Sequence, residues 1–405
     1  GPVNLLKMPK HHVLILFQAL FVVHHLSNNS YANLINHFKL GMSAFKKTRA
    51  QLSAACLCAK RIEPPFYDEY KYILPQCLQL GKYSYVKDWY LNPDNFDYKK
   101  ELMVKTKTCE LKFAFGGLHD SLGAMNITGN IIACDVASYY PNLMRQYLLM
   151  SRAVPQPEVF YNMISERVRL KKTNPQLAAS YKIVLNSAYG QMGDTHSNMY
   201  DKRMANSVCL SGQLLLLDLI EKVEDYGRLI NVNTDGIYVL CEDRENIDVV
   251  KKLANEWEAR SGMSLEFDEY THYISKDVNS YILIDANGHV KTKGMVKELG
   301  ELDYNMAIVN KALRAYLIDG VKPEEFISED NSFMDYMMTV KLKGDFKQIV
   351  HIENGETVKI PNKVIRVFAS TDRSDGMIGR TREKKSNQCT LFCTDDGNWN
   401  PDTAI

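Results

Sequence analysis

The stretch Gly129-Asn-Ile-Ile-Ala-Cys-Asp135-Val-Ala-Ser-Tyr-Tyr-Pro-Asn-Leu143 contains the pattern on which the fold turns. Ile131 to Cys134 is a short, continuous apolar run, as expected of a strand buried on both faces. Asp135 follows at once, and a carboxylate there is costly to desolvate unless a cation or a hydrogen-bond donor meets it. Two tyrosines and Pro141 then stop the run. A second stretch, Leu229-Ile-Asn-Val-Asn233-Thr-Asp235-Gly-Ile-Tyr-Val-Leu240, repeats the theme. Two apolar runs flank Asn233-Thr234-Asp235-Gly236, the pattern of a β-hairpin with an acid at its tip. Alone, either pattern also suits an ordinary capped strand end, so the residues between them decide.

Those residues read as two helices with almost nothing joining them. The first, about 158–172, carries Arg167 and Lys171 at i and i+4, hence on one face. Thr173-Asn174-Pro175 reads as a stop and restart, with Asn174 suited to the N-cap and Pro175 to the first helical position. The second, about 175–189, sets Lys182, Asn186 and Tyr189 on one stripe. Three cations and an amide directed at a common point suit a triphosphate. A solvated basic face is the plainer account of Arg167 to Lys172.

A long amphipathic helix over about 197–226 leads to the second acidic stretch. Strands are predicted at 273–284 and 289–296. Beyond Gly300 the pattern is helical at 305–317, 323–326 and 333–342, then strand-like at 363–369. Ahead of the first motif, residues 3 to about 62 are helical in pattern and Pro64-Pro65 closes them. No internal repeat or low-complexity tract is present.

The 405 residues suit two to four domains. Hydrophobic content of 45% and charged content of 24% are those of an ordinary globular protein. A net charge of +1 excludes a global field for nucleic acid, so phosphate binding must rely on local patches. Nine scattered cysteines fit reduced thiols in a cytosolic setting. Cys56-x-Cys58 and Cys389-x3-Cys393 lack the second pair of a zinc ribbon. The apolar run Val13 to Val23 is too short to span a bilayer, contains Gln18 and lacks a basic leader, so it reads as a buried helix. Gly1-Pro2 reads as a protease scar, and the natural chain is expected to begin earlier.

In this order the motifs resemble those of the family B DNA polymerases, most of all the bacteriophage members. Asp135-Val-Ala-Ser138-Tyr139-Tyr140-Pro141 is similar to the family's first acidic motif, Asp, two residues, Ser-Leu-Tyr-Pro. Lys182-Ile-Val-Leu-Asn186-Ser-Ala-Tyr189-Gly190 matches its fingers motif. Asn233-Thr234-Asp235-Gly236 resembles its Asp-Thr-Asp-Ser. Gly116-Gly117 resembles the template element, and Lys276 and Lys293 resemble the lysines that follow the third motif. The likeness is good over about 110–300 and loose elsewhere.

The resemblance implies an α+β right hand with a mixed or antiparallel palm sheet. The palm would take 111–152 and 191–300, a short helical-hairpin fingers 153–190, and a mostly helical thumb with a C-terminal tail 301–405, after an N-terminal helical segment 3–110. It implies two Mg²⁺ ions, replaceable by Mn²⁺, on Asp135, Asp235 and the Val136 carbonyl. It implies nucleotide binding by Ser138, Tyr139, Tyr140, Arg167, Lys171, Lys182 and Asn186, with Lys182 protonating the leaving pyrophosphate. Tyr140 would clash with a ribose 2′-hydroxyl. Gly116, Gly117, Tyr189, Gly190, Thr234, Lys276 and Lys293 would meet primer-template DNA. Partners implied are that DNA, dNTPs and a separate exonuclease, priming or processivity protein, with no membrane.

Three departures qualify this. Asn233 and Gly236 replace the family's usual Asp and Ser, and Ala114 stands where the template element usually has tyrosine. Forty-seven positions separate Asp135 from Lys182, which leaves no room for the insertion of protein-primed phage enzymes, so no built-in strand-displacement ring is expected. The exonuclease acids, Asp-x-Glu and Tyr-x3-Asp, are not visible, with His12 near where the latter's tail would fall. Other readings are a non-catalytic palm-fold nucleic-acid-binding module, a reverse transcriptase, which would carry paired aspartates at the hairpin tip, or a primase-like enzyme. Arg380, Arg382, Lys384 and Lys385 form a basic cluster that suits phosphates and equally suits a solvated tail.

Overall fold

The strand expected before Asp135 is β4 (Met125–Val136) in the computed structural model, which describes residues 59–62, 68–120, 122–300, 305–342, 346–367, 376–382 and 385–391. Ile131, Ile132, Ala133 and Cys134 are wholly buried. Ile132 and Cys134 share one face of the strand and join the core formed with the helices. The β4 strand pairs antiparallel with β6 (Gly236–Cys241) and with β7 (Leu265–Asp277). Beyond β6 lies β5 (Arg228–Asn233), and the order β5-β6-β4-β7 continues into β8 (Ser280–Ile284) and β9 (Val290–Lys293). A β-bulge between Thr128 and Ile131 breaks the β4–β7 register, a device that bends and further twists a strand.

Helices cover this sheet. After β4 come α2 (Tyr139–Gln146), α3 (Pro157–Thr173), α4 (Pro175–Gly193) and α5 (Lys202–Val223), with α1 (Ser84–Leu91) upstream and α6 (Arg244–Ser261) after β6. The stop and restart falls where expected. Asn174 caps α4, its side chain accepting the Leu177 N–H at 3.1 Å, and Pro175 takes the first helical position. The α5 helix begins later than predicted, at an Asp201 N-cap. It is also buried all round from Met204 to Ile220, where an amphipathic face was expected, because it packs against α2, α4, α6 and β6. Long and apolar enough by composition to cross a membrane, α5 is 94% buried inside the fold and is a core helix. Trp257 of α6 donates its indole N–H to the Leu215 carbonyl at 2.9 Å.

The chain divides into two compact units, Gly1–Val278 with Leu283–Val290, and Asn279–Ile282 with Lys291–Ile405. In the second, α7 (Ala307–Asp319) and α8 (Pro323–Glu329) meet the prediction. The mostly helical reading of this region does not hold. Residues 333–336 form one 3-10 turn, and the chain then extends as β10 (Met338–Lys341), which pairs with β13 (Val364–Val367). A second sheet has the order β12-β11-β14-β15, from β11 (Phe346–Glu353), β12 (Glu356–Ile360), β14 (Met377–Arg382) and β15 (Lys385–Leu391). Asn354 and Gly355, both at positive φ, form the two-residue turn between β11 and β12, a hairpin signal that the helical reading passed over.

Two further expectations need correction. The strand predicted over 273–284 is two strands, β7 and β8, reversed at Val278-Asn279. Within the expected helical segment 3–110, the described part holds one helix of eight residues, a 3-10 turn and the strands β1 (Leu102–Lys105) and β2 (Glu110–Phe113). The run Val13–Val23, His12, Cys56, Cys58, Lys384 and Cys393 lie outside the described residues. The described cysteines Cys77, Cys109, Cys134, Cys209 and Cys241 are free thiols.

Candidate active site

Asp135 sits one residue from the end of β4, directly opposite Gly236 on β6 and Glu266 on β7. Gly236 follows Asp235, so the register brings both acids to one end of the sheet. The two-residue turn Thr234-Asp235 is locked to β4, since Val136 N–H donates to the Asp235 carbonyl at 2.6 Å. The turn is also braced from behind. The Asn233 side chain accepts the Asp235 N–H at 3.1 Å, and Val232 N–H donates to the Asp120 carboxylate. Asp120 belongs to β3 (His119–Asp120), and burial pushes its carboxyl above the usual range.

Gly236 lies close against Asp135 and the β4 backbone. A methyl group there would stand 2.9 Å from the Cys134 carbonyl oxygen and 3.1 Å from Asp135 Cα, with Asp135 Oδ1 nearer still. The cradle is therefore lined by carboxylate and carbonyl oxygens, the hard donors that Mg²⁺ and Mn²⁺ favour. Among the described residues no group of three His, Cys, Asp or Glu side chains forms a closed metal cage.

The cationic helix reaches this end of the sheet through two contacts. Arg167 is only 8% exposed and donates through Nη1 to Ser138 Oγ, while its buried Nε has no partner. Burial pulls its guanidinium below the usual arginine range, opposed by the charge of Glu266. Ser138 holds a left-handed backbone, φ 49 and ψ 49, as the residue before α2. Such strain in a non-glycine residue persists only where its surroundings over-determine it. Lys171 Nζ meets Glu266 Oε1 at 2.6 Å. Glu266 was not predicted. Nothing in Leu265-Glu266-Phe267 signals that β7 would set it opposite Asp135, because register is a long-range property.

The aromatic residues also converge. The Tyr140 and Tyr189 rings meet edge to face at 4.6 Å between centroids, and burial raises both hydroxyls above the ordinary tyrosine range. The Tyr139 side chain points into the core, where its hydroxyl donates to the Gly212 carbonyl at 2.7 Å, so the ring is a packing group. Gly117 approaches Thr234 so closely that a methyl group would lie 3.1 Å from its Cβ and Cγ2. The Gly116 carbonyl accepts from Gln213 Nε2 at 2.5 Å and from Cys209 Sγ at 2.7 Å, and Gln213 Nε2 also meets the Ala114 carbonyl at 2.6 Å. Gln213, unpredicted, thus fixes the Gly-Gly turn against the hairpin tip.

Other expected residues are exposed to solvent. Lys182, Asn186 and Gly190 are exposed on α4. Lys276 is exposed on β7, with its Nζ 3.9 Å from Asp277 Oδ2. Lys293 belongs to the second unit, with its ammonium 5.5 Å from the Tyr281 ring centre.

No family profile matches the chain. Among curated proteins it is similar to DNA polymerase 1 of Aeropyrum pernix, 24% identical over 207 residues, covering 41% of this chain and 21% of that protein. It is also similar to DNA polymerase II of Escherichia coli, 22% identical over 223 residues, covering 45% of this chain and 27% of that protein. These similarities support the resemblance to the family B DNA polymerases. The chain spans about a fifth to a quarter of the length of these family B relatives. A solved family B DNA polymerase from Pyrobaculum calidifontis matches 68% of this chain and 46% of its own, at 15% identity and a TM-score of 0.40.

Proposed function

We propose that the chain is a template-directed DNA polymerase that adds dNTPs to a primer 3′ end. The observation that carries this is the register that sets Asp135 opposite Gly236, beside Asp235, with Arg167 and Lys171 reaching the same end of the sheet through Ser138 and Glu266. Asp135, Asp235 and the Val136 carbonyl would hold the divalent ions. When bound, such ions neutralise charge on the phosphoryl group and align the attacking and leaving oxygens. Arg167, Lys171, Lys182 and Asn186 bind the triphosphate, and Lys182 Nζ gives a proton to the leaving pyrophosphate. The Tyr140 ring lies beneath the sugar and excludes a 2′-hydroxyl. Tyr189 and Gly190 border the nascent base pair, and Gly116 and Gly117 border the template. In this reading 111–152 and 191–300 make the palm, 153–190 the fingers, and 301–405 the thumb, here rich in strands.

Primer extension with a DNA template and single dNTPs, by the parent chain, Asp135→Ala and Asp235→Ala, tests the proposal. Templated addition by the parent alone is the expected result. Absence of addition by all three, with primer-template still bound, would favour the binding-module reading, which the Asn233 and Gly236 departures support. Preference for an RNA template would favour a reverse transcriptase.

A further inference from the structure

Three buried polar side chains form a continuous hydrogen-bonded line to the turn that holds Asp235. Asp235 N–H donates to Asn233 Oδ1 at 3.1 Å, Asn233 Nδ2 donates to Asn231 Oδ1 at 3.2 Å, and Asn231 Nδ2 donates to the Tyr273 hydroxyl at 2.9 Å. Asn233, Asn231 and Tyr273 are each no more than 4% exposed. Asn231 lies on β5 and Tyr273 on β7, with β6 and β4 between them in the sheet order. The line therefore ties a turn at one edge of this strand set to a strand at the other.

We infer that Tyr273 is a positioning residue for the Asp235 turn, acting through Asn231 and Asn233. The inference rests on the proposed function for its catalytic meaning, but its geometry stands without it. Polar groups buried this deeply are costly to leave unpaired. Loss of the Tyr273 oxygen would orphan the Asn231 amide, and the most accessible relief is for the line to shift towards the solvent-facing tip. The same chain accounts for asparagine at 233. An asparagine both accepts from Asp235 N–H and donates onward to Asn231, whereas an aspartate can only accept. With an aspartate in its place the line could be kept only by turning the Asn231 amide over, so that its nitrogen faces the introduced carboxylate and its oxygen takes the Tyr273 O–H. The hydroxyl would then become indispensable as a donor.

The test compares the full chain with Tyr273→Phe and with Val250→Ala, a cavity variant in α6 outside the line whose Val250 is wholly buried. Hydrogen exchange without metal is read on a peptide spanning 231–238. Tyr273→Phe should exchange about five-fold faster there, as loss of one net hydrogen bond implies, while Val250→Ala should leave this peptide at the parent rate. Mn²⁺ titration by calorimetry should then show weaker binding in Tyr273→Phe by a similar factor. Asn233→Asp should be mild alone and much worse when combined with Tyr273→Phe. Unchanged exchange at the tip in Tyr273→Phe, or equal acceleration in both single variants, would overturn the inference. Faster exchange at the tip in Tyr273→Phe alone, from a parent that extends no primer, would support the line and remove the polymerase reading instead.

Discussion

Replacing Gly236 with alanine should disable the site, although the motif that this turn resembles has a serine there. The added methyl would lie 2.9 Å from the Cys134 carbonyl, and that oxygen belongs to the β4 backbone and cannot rotate away. Reaching an ordinary contact of 3.4 Å requires about 0.5 Å of separation between β4 and β6, at the one place where Val136 N–H holds the Asp235 carbonyl. Overpacking of this kind costs about 1–3 kcal/mol. The larger loss falls on chemistry, because displacement of a catalytic group by up to about 1 Å costs on the order of 100-fold in rate. Single-turnover primer extension under saturating dNTP should therefore fall at least ten-fold for Gly236→Ala, while a thermal melt shows a folded protein a few degrees less stable. An alanine variant that extends primer within two-fold of the parent would refute the close-packing argument. Gly236→Ser should behave no better, in spite of the family pattern.

Other consequences follow from residues away from that pair. Arg152 bridges Asp68, at 2.6 Å, and the nearly inaccessible Asp201, at 2.8 Å, so Arg152→Ala should cost about 3–5 kcal/mol at pH 7 in a denaturant melt. Burial alone would raise the Asp68 carboxyl, but Arg152 and then Arg203 hold it net below the usual range. Its contribution is present above that range and lost as pH falls through it, so the gap between parent and variant should narrow towards pH 3. Leu148 takes a left-handed backbone just past the end of α2, 70% exposed, where Leu149 N–H closes back on the Met144 carbonyl at 2.8 Å. Glycine is the residue this helix-ending motif favours, and Leu148→Gly should raise stability by about 0.5–1 kcal/mol, read as a melt about 2 °C higher. Tyr140→Ala should admit ribonucleotides, seen as a rise in rNTP over dNTP incorporation of at least ten-fold; an unchanged ratio would remove Tyr140 from the sugar site.

The parts of this site that were legible in the sequence are the local ones. Ile131 to Cys134 announced a buried strand, Asn233 to Gly236 a two-residue turn, and Asn174-Pro175 a helix restart, because each is written by neighbours in the chain. What was missed depends on register or on distant packing. Glu266 faces Asp135 only through the β4–β7 pairing, and Gln213 reaches the Gly116 carbonyl only once α5 is in place. The α5 helix was read as amphipathic because its polar residues Asn206, Ser207, Ser211, Gln213 and Asp218 look like a solvent face. They are buried instead, and Gln213 and Asp218 are hydrogen-bonded inside, Asp218 to Arg260 at 2.7 Å. Of the strands after 337 only the one at 363–369 was anticipated, seen as β13; the others were lost to a different cause, short mixed segments in which helical spacing arises by chance while the Asn354-Gly355 turn was left unweighed.

The contact between Gly117 and Thr234 carries a historical constraint. The two positions lie more than a hundred residues apart in the chain yet share one small volume, so neither can enlarge by itself. A lineage that acquired a side chain at 117 would have to shed the threonine methyl or hydroxyl in the same step or before it. Those sites are thus bound to drift as a couple, and a change recorded at one should be answered at the other.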